Sequence, residues 1–263
     1  MGSNLTKRHY AAGLTCDRRQ WLIVHRPDLV EPPSPSVAYR MYVGQQVGAL
    51  ARRLFPGGNL VNVPSSDWEL AVARTKEALR KHDVVFEAAI ESGELVARCD
   101  VLVRQGDAWD IIEVKSSSRA KDEHIDDLAF QVVVLTGAGF TVSSAKVCHF
   151  DSSFVRGEEE PVPEELFAIT DVTESVERQI ETVKVQIGRA LCTAAADSPP
   201  PVRFDLACTR PECLFLDFCH PDLEPGHLLE LPGLRKKDSV KFSLEGVSRL
   251  KDIPDGVKLT DMQ

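Results

Sequence analysis

Apolar positions along the chain predict an alternation of helices and strands. Between residues 95 and 115, β-branched and apolar residues form two runs around Gln105-Gly106-Asp107, whose residue types favour a tight turn, so a β-hairpin is predicted with strands over 95–104 and 109–115. Helical spacing of apolar residues over 37–55 ends at Pro56-Gly57-Gly58, which indicates a helix. In chain order, the other predicted elements are a helix over 10–25, a helix over 68–81 with a capping box from Ser66 to Glu69, strands over 84–90 and 144–150, and helices over 125–135 and 173–196.

This order of elements predicts an α/β fold in which helices cover a small mixed sheet. The chain has 263 residues, of which 43% are hydrophobic, enough for one globular core with a small appendage. No apolar run approaches the ~18 residues of a membrane span, and the N-terminus lacks a signal-peptide pattern. We therefore expect a soluble, cytoplasmic protein.

Charge and cysteine usage narrow the functional classes. A net charge of −9 argues against broad, nonspecific adhesion to nucleic acid, although it leaves room for a local basic track. The 7 cysteines are odd in number and irregularly spaced, so a reducing cytosol with some of them on metal explains them better than a secreted disulfide scaffold does.

The predicted hairpin carries the candidate chemistry. Glu113 and Lys115 are two residues apart on one strand, so their side chains share a face. Alone, this pair is a common solvated ion pair. Asp100 on the partner strand changes the picture, because two adjacent carboxylates repel each other unless a cation such as Mg²⁺ or Mn²⁺ lies between them. Lys115 beside that ion could orient a water or stabilise negative charge on a phosphate, so the three residues predict a phosphodiester-hydrolysing site.

These residues resemble the core of the PD-(D/E)XK nuclease superfamily. Asp126-Asp127-Leu128-Ala129-Phe130-Gln131 resembles the glutamine motif of its RecB-type branch, and Phe86-Glu87-Ala88-Ala89 resembles a strand of the same proteins. The similarity is strongest to the iron–sulfur exonucleases of that branch, which include the AddB-type recombination nuclease and the CRISPR spacer-acquisition exonuclease. It covers roughly residues 16–219. The resemblance implies a restriction-endonuclease-like architecture and a metal-dependent exonuclease acting on DNA ends or single strands in repair, recombination or defence.

The resemblance also implies roles for further residues and shows two departures. Gln131 would face the metal site, against the simpler interpretation of a solvated helix residue, and the carbonyl of Val114 would be a further metal ligand. Leu135 stands where relatives often have a tyrosine, and Gly48 stands where they commonly have a metal-binding histidine. Glu87 is the candidate for the missing ligand, and a surface glutamate is the alternative.

Four cysteines form a second candidate metal site. Cys208, Cys213 and Cys219 have the spacing C-x4-C-x5-C, and inert buried cysteines rarely cluster in this way. With the distant Cys16, they resemble the one early and three late cysteines that hold a [4Fe–4S] cluster in the relatives. Zn²⁺ remains the alternative, because four thiolates suit either metal centre. The other three cysteines, predicted to be core thiols, are Cys99, Cys148 and Cys192.

The predicted domain organisation follows these motifs. An N-terminal segment over 1–36 carries the first cysteine, the nuclease core covers 37–204, the cysteine-rich segment covers 205–222, and a small helical tail covers 223–263. In that tail we expect two short helices around a glycine turn, either contacting a DNA backbone through Arg235, Lys236 and Lys237 or forming a solvated extension. The chain is expected to be a fragment or the first module of a longer protein.

Two functional classes remain open from the sequence. The first is a metal-dependent nuclease with Asp100 and Glu113 as metal ligands and Lys115 as catalytic base or charge stabiliser. The second is a catalytically weak or inactive DNA-binding or scaffolding module that retains the nuclease fold. The departures at Gly48 and Leu135 make this second class credible.

Overall fold

A computed structural model describes residues 4–30, 32–33, 35–64, 66–158, 161–203, 208, 213–231, 234–254 and 257. The chain forms two compact units, the first made of Met1–Ala11 and Pro32–Ala195 and the second of Ala12–Glu31 and Ala196–Gln263. Residues from both ends of the chain thus fold together in the second unit.

The first unit is built on a mixed sheet of seven strands. In chain order, the strands are β1 (Leu5–Thr6), β2 (Asn59–Leu60), β3 (Val84–Ser92), β4 (Leu95–Gln105), β5 (Ala108–Val114), β6 (Thr141–Phe150) and β7 (Phe167–Asp171). Their order across the sheet is β2-β3-β4-β5-β6-β7, and β1 pairs with β4. The strands β4 and β5 confirm the predicted hairpin, and Gly106 occupies the turn with the positive φ of 62° that glycine tolerates best.

Helices cover both faces of this sheet. Among the residues that the structure describes, the helices are, in chain order, α1 (Lys7–Thr15), α2 (Asp17–His25), α3 (Pro35–Ala51), α4 (Trp68–Lys81), α5 (Asp122–Gly137), α6 (Pro163–Leu166), α7 (Thr173–Ala195), α8 (Leu216–Cys219) and α9 (Lys236–Leu244), of which α2, α8 and α9 belong to the second unit. Short 3₁₀ turns lie at Pro27–Leu29, Arg52–Leu54, Leu228–Glu230 and Leu250–Asp252. The predicted α/β fold with a helix-flanked mixed sheet is confirmed.

Strand alternation explains the two layers of the core. Val101 and Ile112 pack in one apolar cluster with α3, whereas Leu102 and Ile111 pack in the larger cluster that includes α4, α5 and α7. Because successive side chains point to opposite faces, one hairpin contributes to both clusters. Asp100 precedes Val101, at the step between Phe86↔Val101 and Ala88↔Cys99 where the pairing of β3 with β4 is interrupted, so strand alternation alone does not set the face of its side chain.

Two local predictions differ from the structure. The predicted helix over 10–25 is two helices, because Cys16 has an extended backbone with φ −160° and ψ 120° and caps α2. The predicted capping box at Ser66 is wrong, since Asp67 is the N-cap of α4 and its carboxylate accepts from the backbone N–H of Leu70 at 3.1 Å. An aspartate beside a serine can compete for the cap, and the spacing alone did not separate them.

The second unit has two small apolar clusters. One centres on Trp21, Leu22 and Phe215, and the indole N–H of Trp21 donates to the carbonyl of Ala196 at 2.8 Å. The other is made of Leu228, Leu231, Phe242 and Val247.

The tail contains one described helix, α9, with 3₁₀ turns on either side, instead of two helices. Gly246 follows α9 with φ 74°, the left-handed conformation that commonly ends a helix. Arg235 is exposed, and the side chains of Lys236 and Lys237 lie outside the described part of the structure. Among the residues that the structure describes, none of the helices is long and apolar enough to cross a membrane.

Candidate active site

The hairpin places Asp100 beside Glu113. The pairing Val101↔Ile112 sets the register, and one step further along both strands are Asp100 and Glu113. The backbone N–H of Val114 donates to Oδ2 of Asp100 at 2.7 Å, which fixes that carboxylate against the end of β5. The structure therefore brings the two carboxylates together, as the sequence predicted. One of them, Glu113, is buried, with only 2% of its surface exposed.

Two lysines and a second aspartate surround Glu113. Nζ of Lys7 lies 2.6 Å from Oε1 of Glu113, and Nζ of Lys115 lies 2.9 Å from the same oxygen. Lys115 also contacts Oδ2 of Asp127 at 2.5 Å, and Lys7 lies 4.0 Å from that oxygen. Lys7, Glu113, Lys115 and Asp127 therefore form a closed ring of alternating charge, called here the charge ring.

Gln131 completes the environment of Glu113 from helix α5. Its Nε2 donates to Oε2 of Glu113 at 2.7 Å, and the side chain is fully buried. An ionised carboxylate only accepts hydrogen bonds, so the amide nitrogen must face Glu113 and the amide oxygen must face away. Within the described structure, that buried Oε1 atom has no hydrogen-bond partner. A buried acceptor without a donor indicates a place for a water or another ligand.

The two carboxylates have opposite pKa shifts. Burial opposes ionisation of Glu113, but the nearby ammonium groups of Lys7 and Lys115 outweigh it and lower its pKa to about 2. Burial and the charge of Glu113 raise the pKa of Asp100 to about 7, although Lys7 and the Val114 N–H oppose that change. Asp100 is thus the carboxylate whose charge lacks compensation, and a bound cation would supply it.

A groove of about 570 Å³ opens onto this pair of carboxylates. Its lining includes Asp100, Glu113, Val114, Glu87 and Arg98, together with residues of α3. The candidate further ligands Glu87 and Val114 therefore both lie beside Asp100 and Glu113.

Glu87 has an unusual backbone conformation. Its φ is 55°, and it is the only described residue other than glycine with a positive φ. The regular pairing of β3 with β4 passes from Phe86↔Val101 to Ala88↔Cys99, so Glu87 and Asp100 fall at the irregular step. A non-glycine residue in the left-handed region is strained and is frequently found at functional sites. Burial raises the pKa of Glu87, and Nη1 of Arg52 lies 3.8 Å from its Oε1.

The departures noted in the sequence have structural counterparts. Gly44 and Gly48 line the groove, and a Cβ atom at either position would meet no atom within 4 Å. The space beside both glycines is therefore open groove. Leu135 is fully buried in the core.

The four candidate cluster cysteines all belong to the second unit. Cys208 is buried, its Sγ lies 3.8 Å from Nε2 of His220, and Cys16, Cys213 and Cys219 are partly exposed. Burial raises the pKa of Cys213, and the neighbouring thiols of Cys219 and Cys16 act in the same direction. The early cysteine and two of the late ones are thus close enough to interact.

Candidate ligands that lie close together do not by themselves form a metal site. In the described ranges, neither the carboxylates nor the cysteines form a group of three or more side chains already arranged around a metal ion.

Of the three predicted core thiols, Cys99 and Cys148 are buried, whereas Cys192 is exposed and the prediction for it is wrong. Cys192 lies on the outer face of α7, where the helical period places it away from Val183 and Ile187.

Lys7 is the site residue that sequence reasoning missed. It lies in a polar N-terminal stretch with no recognisable motif, and it reaches Glu113 across 106 residues of sequence. Asp127 lies within the glutamine motif, but nothing in the sequence indicates that it binds Lys115.

Comparisons with known proteins do not identify the chain. No protein-family model and no curated protein matches it. Among solved structures, it is similar to the crystal structure of SSO0001, with 14% identity and a TM-score of 0.40 over 81% of this chain and 86% of that one.

Proposed function

We propose that this protein is a metal-dependent nuclease of the PD-(D/E)XK type, in the RecB-like iron–sulfur branch, with the restriction-endonuclease-like arrangement of that superfamily. Its proposed reaction is hydrolysis of phosphodiester bonds, as an exonuclease on DNA ends or single strands. The observation that carries the proposal is the pair Asp100 and Glu113, brought together by the hairpin at a groove, with Lys115 beside Glu113 at 2.9 Å. We expect it to act in the cytoplasm in repair, recombination or defence.

The donor set suits Mg²⁺ or Mn²⁺, which prefer oxygen ligands. Asp100 and Glu113 would hold the ion, with Glu87 and the carbonyl of Val114 as further ligands. The fit rests on Asp100, a half-buried carboxylate that makes no ion pair with the described residues and accepts from the backbone N–H of Val114. When bound, such an ion acidifies a coordinated water and neutralises charge on a phosphate.

Lys115 is best suited to stabilise charge. Burial alone would lower its pKa, but Glu113 and Asp127 outweigh burial and raise it, so the amine stays protonated. A protonated amine cannot accept a proton, whereas it can stabilise negative charge on a phosphate in the transition state. Of the two roles predicted for Lys115, this one is favoured over catalytic base.

Gln131 would act through its two amide atoms. Its Nε2 orients Glu113, and its unpartnered Oε1 can accept a hydrogen bond from a water at the site. These two atoms support a positioning role for Gln131, in which it holds Glu113 and a water. This role does not require Gln131 to contact the substrate.

The thiolates of Cys16, Cys208, Cys213 and Cys219 would hold a [4Fe–4S] cluster, with Zn²⁺ as the alternative. The fit rests on Cys213 and Cys219, which pack against one apolar cluster with residues of α2, the helix that Cys16 caps. Such a centre would supply a cross-link between residues from the two ends of the chain.

A second candidate function is a DNA-binding or scaffolding module with little or no activity. It is favoured by the contacts of Glu113, whose Oε1 accepts from Lys7 and lies 2.9 Å from Lys115 and whose Oε2 accepts from Gln131. A carboxylate held this closely would bind a cation weakly.

Cleavage assays separate the two candidates. The full chain, purified without oxygen, would be incubated with Mn²⁺ or Mg²⁺ and with single- and double-stranded DNA labelled at either end. Wild type should cleave and Asp100→Ala and Glu113→Ala should not, because each removes a charged ligand of a hard cation. Asp107→Ala removes an exposed carboxylate from the turn of the same hairpin and is the control. Binding of DNA without cleavage in either metal would support the scaffolding module and overturn the nuclease.

A further inference from the structure

Strand β1 brings Lys7 into the site. It pairs with β4 at Leu5↔Leu95 and Thr6↔Val96, whereas β5 pairs with β4 only from Val101 onward. Both short strands therefore lie along the same edge of β4, one after the other. Lys7, the residue directly after β1, is in this way brought to the end of β5, where Glu113 lies.

Lys7 and Lys115 together balance part of the negative charge of the site. The two lysines of the charge ring balance its two carboxylates, Glu113 and Asp127. In the part of the chain that the structure describes, Asp100 makes no ion pair within 4 Å, and its hydrogen bond is with the backbone N–H of Val114. Asp100 is thus the site carboxylate left for an external cation.

The lone pairs of Glu113 also leave room for one metal ion. A carboxylate offers about four acceptor positions. Oε1 accepts from Lys7 at 2.6 Å and lies 2.9 Å from Lys115, and Oε2 accepts from Gln131 at 2.7 Å. About one position remains, so Glu113 can serve one metal ion as a single-oxygen ligand while both lysines stay in place.

We infer that Lys7 is a built-in second cation of this site and a positioning residue, so that the site takes one divalent ion instead of two. This inference rests on the proposed function, because it concerns the same carboxylates. Lys7 holds Glu113 and balances the charge ring that positions Lys115. Its ammonium group also repels an incoming metal ion.

Removing the charge of Lys7 should therefore change metal affinity and rate in opposite directions. A unit positive charge about 6 Å from a divalent ion weakens its binding about tenfold even at the dielectric constant of water. Without that charge, Mn²⁺ should bind at least about tenfold more tightly, or a second equivalent should bind. The cleavage rate at saturating Mn²⁺ should fall by about tenfold or more, because Glu113 and Lys115 lose their alignment.

The experiment is calorimetric titration of the full, anaerobically prepared chain with Mn²⁺, together with cleavage assays. Lys7→Met removes the charge at similar length and Lys7→Arg keeps it. Arg8→Met is the matched control, since Arg8 is the exposed neighbour on the same turn of α1. Asp100→Asn supplies the background from any other Mn²⁺ site. Wild type, Lys7→Arg and Arg8→Met should each bind one ion, and Lys7→Met should bind more tightly or bind two.

Several results would overturn the inference. A wild type that binds two ions at this site would do so. A Lys7→Met protein that binds one ion with unchanged or weaker affinity would also do so. If Lys7→Met fails to fold, the wild-type stoichiometry and Lys7→Arg still decide, because loss of single-ion binding in Lys7→Arg contradicts a role based on charge. Mn²⁺ results as expected with no cleavage of any DNA would overturn the nuclease and keep the inference. Unchanged Mn²⁺ binding in Asp100→Asn would overturn both.

Discussion

Replacing Asp100 by asparagine should stabilise the metal-free protein at alkaline pH. The amide has nearly the same shape, and its oxygen can still accept from the N–H of Val114, which donates to Asp100 at 2.7 Å. What the substitution removes is a negative charge that burial and Glu113 both disfavour, as the Asp100 pKa of about 7 indicates. A residue that destabilises the fold when charged is expected where charge serves a ligand.

The magnitude follows from that pKa. A rise from 3.8 to about 7 is about three pKa units, or about 4 kcal/mol of unfolding free energy when both states are ionised. The hydrogen bond from Val114 to the carboxylate already contributes to that pKa, so it is not subtracted again. The net gain in Asp100→Asn at pH 8 is therefore about 4 kcal/mol.

The sign depends on pH. Because the pKa is higher in the folded state, the folded protein binds the proton more tightly, and wild-type Asp100 costs nothing below about pH 4. Its cost grows as pH rises from about 4 to about 7 and is then constant. The advantage of Asp100→Asn should thus be absent at pH 4 and complete at pH 8.

Urea denaturation in the presence of a chelator measures this difference, with circular dichroism at pH 4, 6 and 8. Asp107→Asn, in the exposed turn of the same hairpin, controls for loss of a carboxylate. Adding Mn²⁺ should stabilise wild type and leave Asp100→Asn unchanged. A variant no more stable than wild type at pH 8, or equally stabilised at every pH, would refute the reasoning.

Three further predictions concern other parts of the chain. Lys115→Met should lower the cleavage rate about 100-fold while Mn²⁺ still binds in calorimetry, because its charge acts on the transition state; an unchanged rate would contradict that role. Cys16→Ser should lower the iron or zinc content and the melting temperature of anaerobically purified protein, whereas the exposed Cys192→Ser should not; equal metal content in both would remove Cys16 from the site. Gly58→Ala should cost about 1–3 kcal/mol in urea denaturation, because the new methyl group would overlap an aromatic ring of β3, whereas Gly44→Ala meets open space and should cost nothing; equal stability of the two variants would contradict this packing.

Local patterns were sufficient for much of the fold. The helix over 68–81 begins and ends where its apolar period does, and the hairpin follows from alternation around Gly106. The proximity of Asp100 and Glu113 follows from the same hairpin, because the turn sets the register between neighbouring strands. The long α7 was likewise predictable from its helical period.

Local sequence patterns could not predict other elements of the fold. Strands β1 and β2 have two residues each, too few for alternation to show, and they exist because longer strands offer them hydrogen-bonding edges. The exposure of Cys192 depends on which face of α7 packs inward. The break at Cys16 depends on its extended backbone, which no residue type nearby demands.

The sequence by itself determined the pair of carboxylates, the lysine next to them and the strands that present them. Each of these depends on residues close together in the chain, whose spacing sets the geometry directly. Only the tertiary structure decided how their charges are balanced. Lys7 contacts Glu113 across 106 residues because β1 adds to the edge of β4, and Gln131 and Asp127 reach the same point because α5 packs on that face of the sheet. Charge balance in a buried site is a sum over all neighbours in space, and neighbours distant in sequence leave no local pattern.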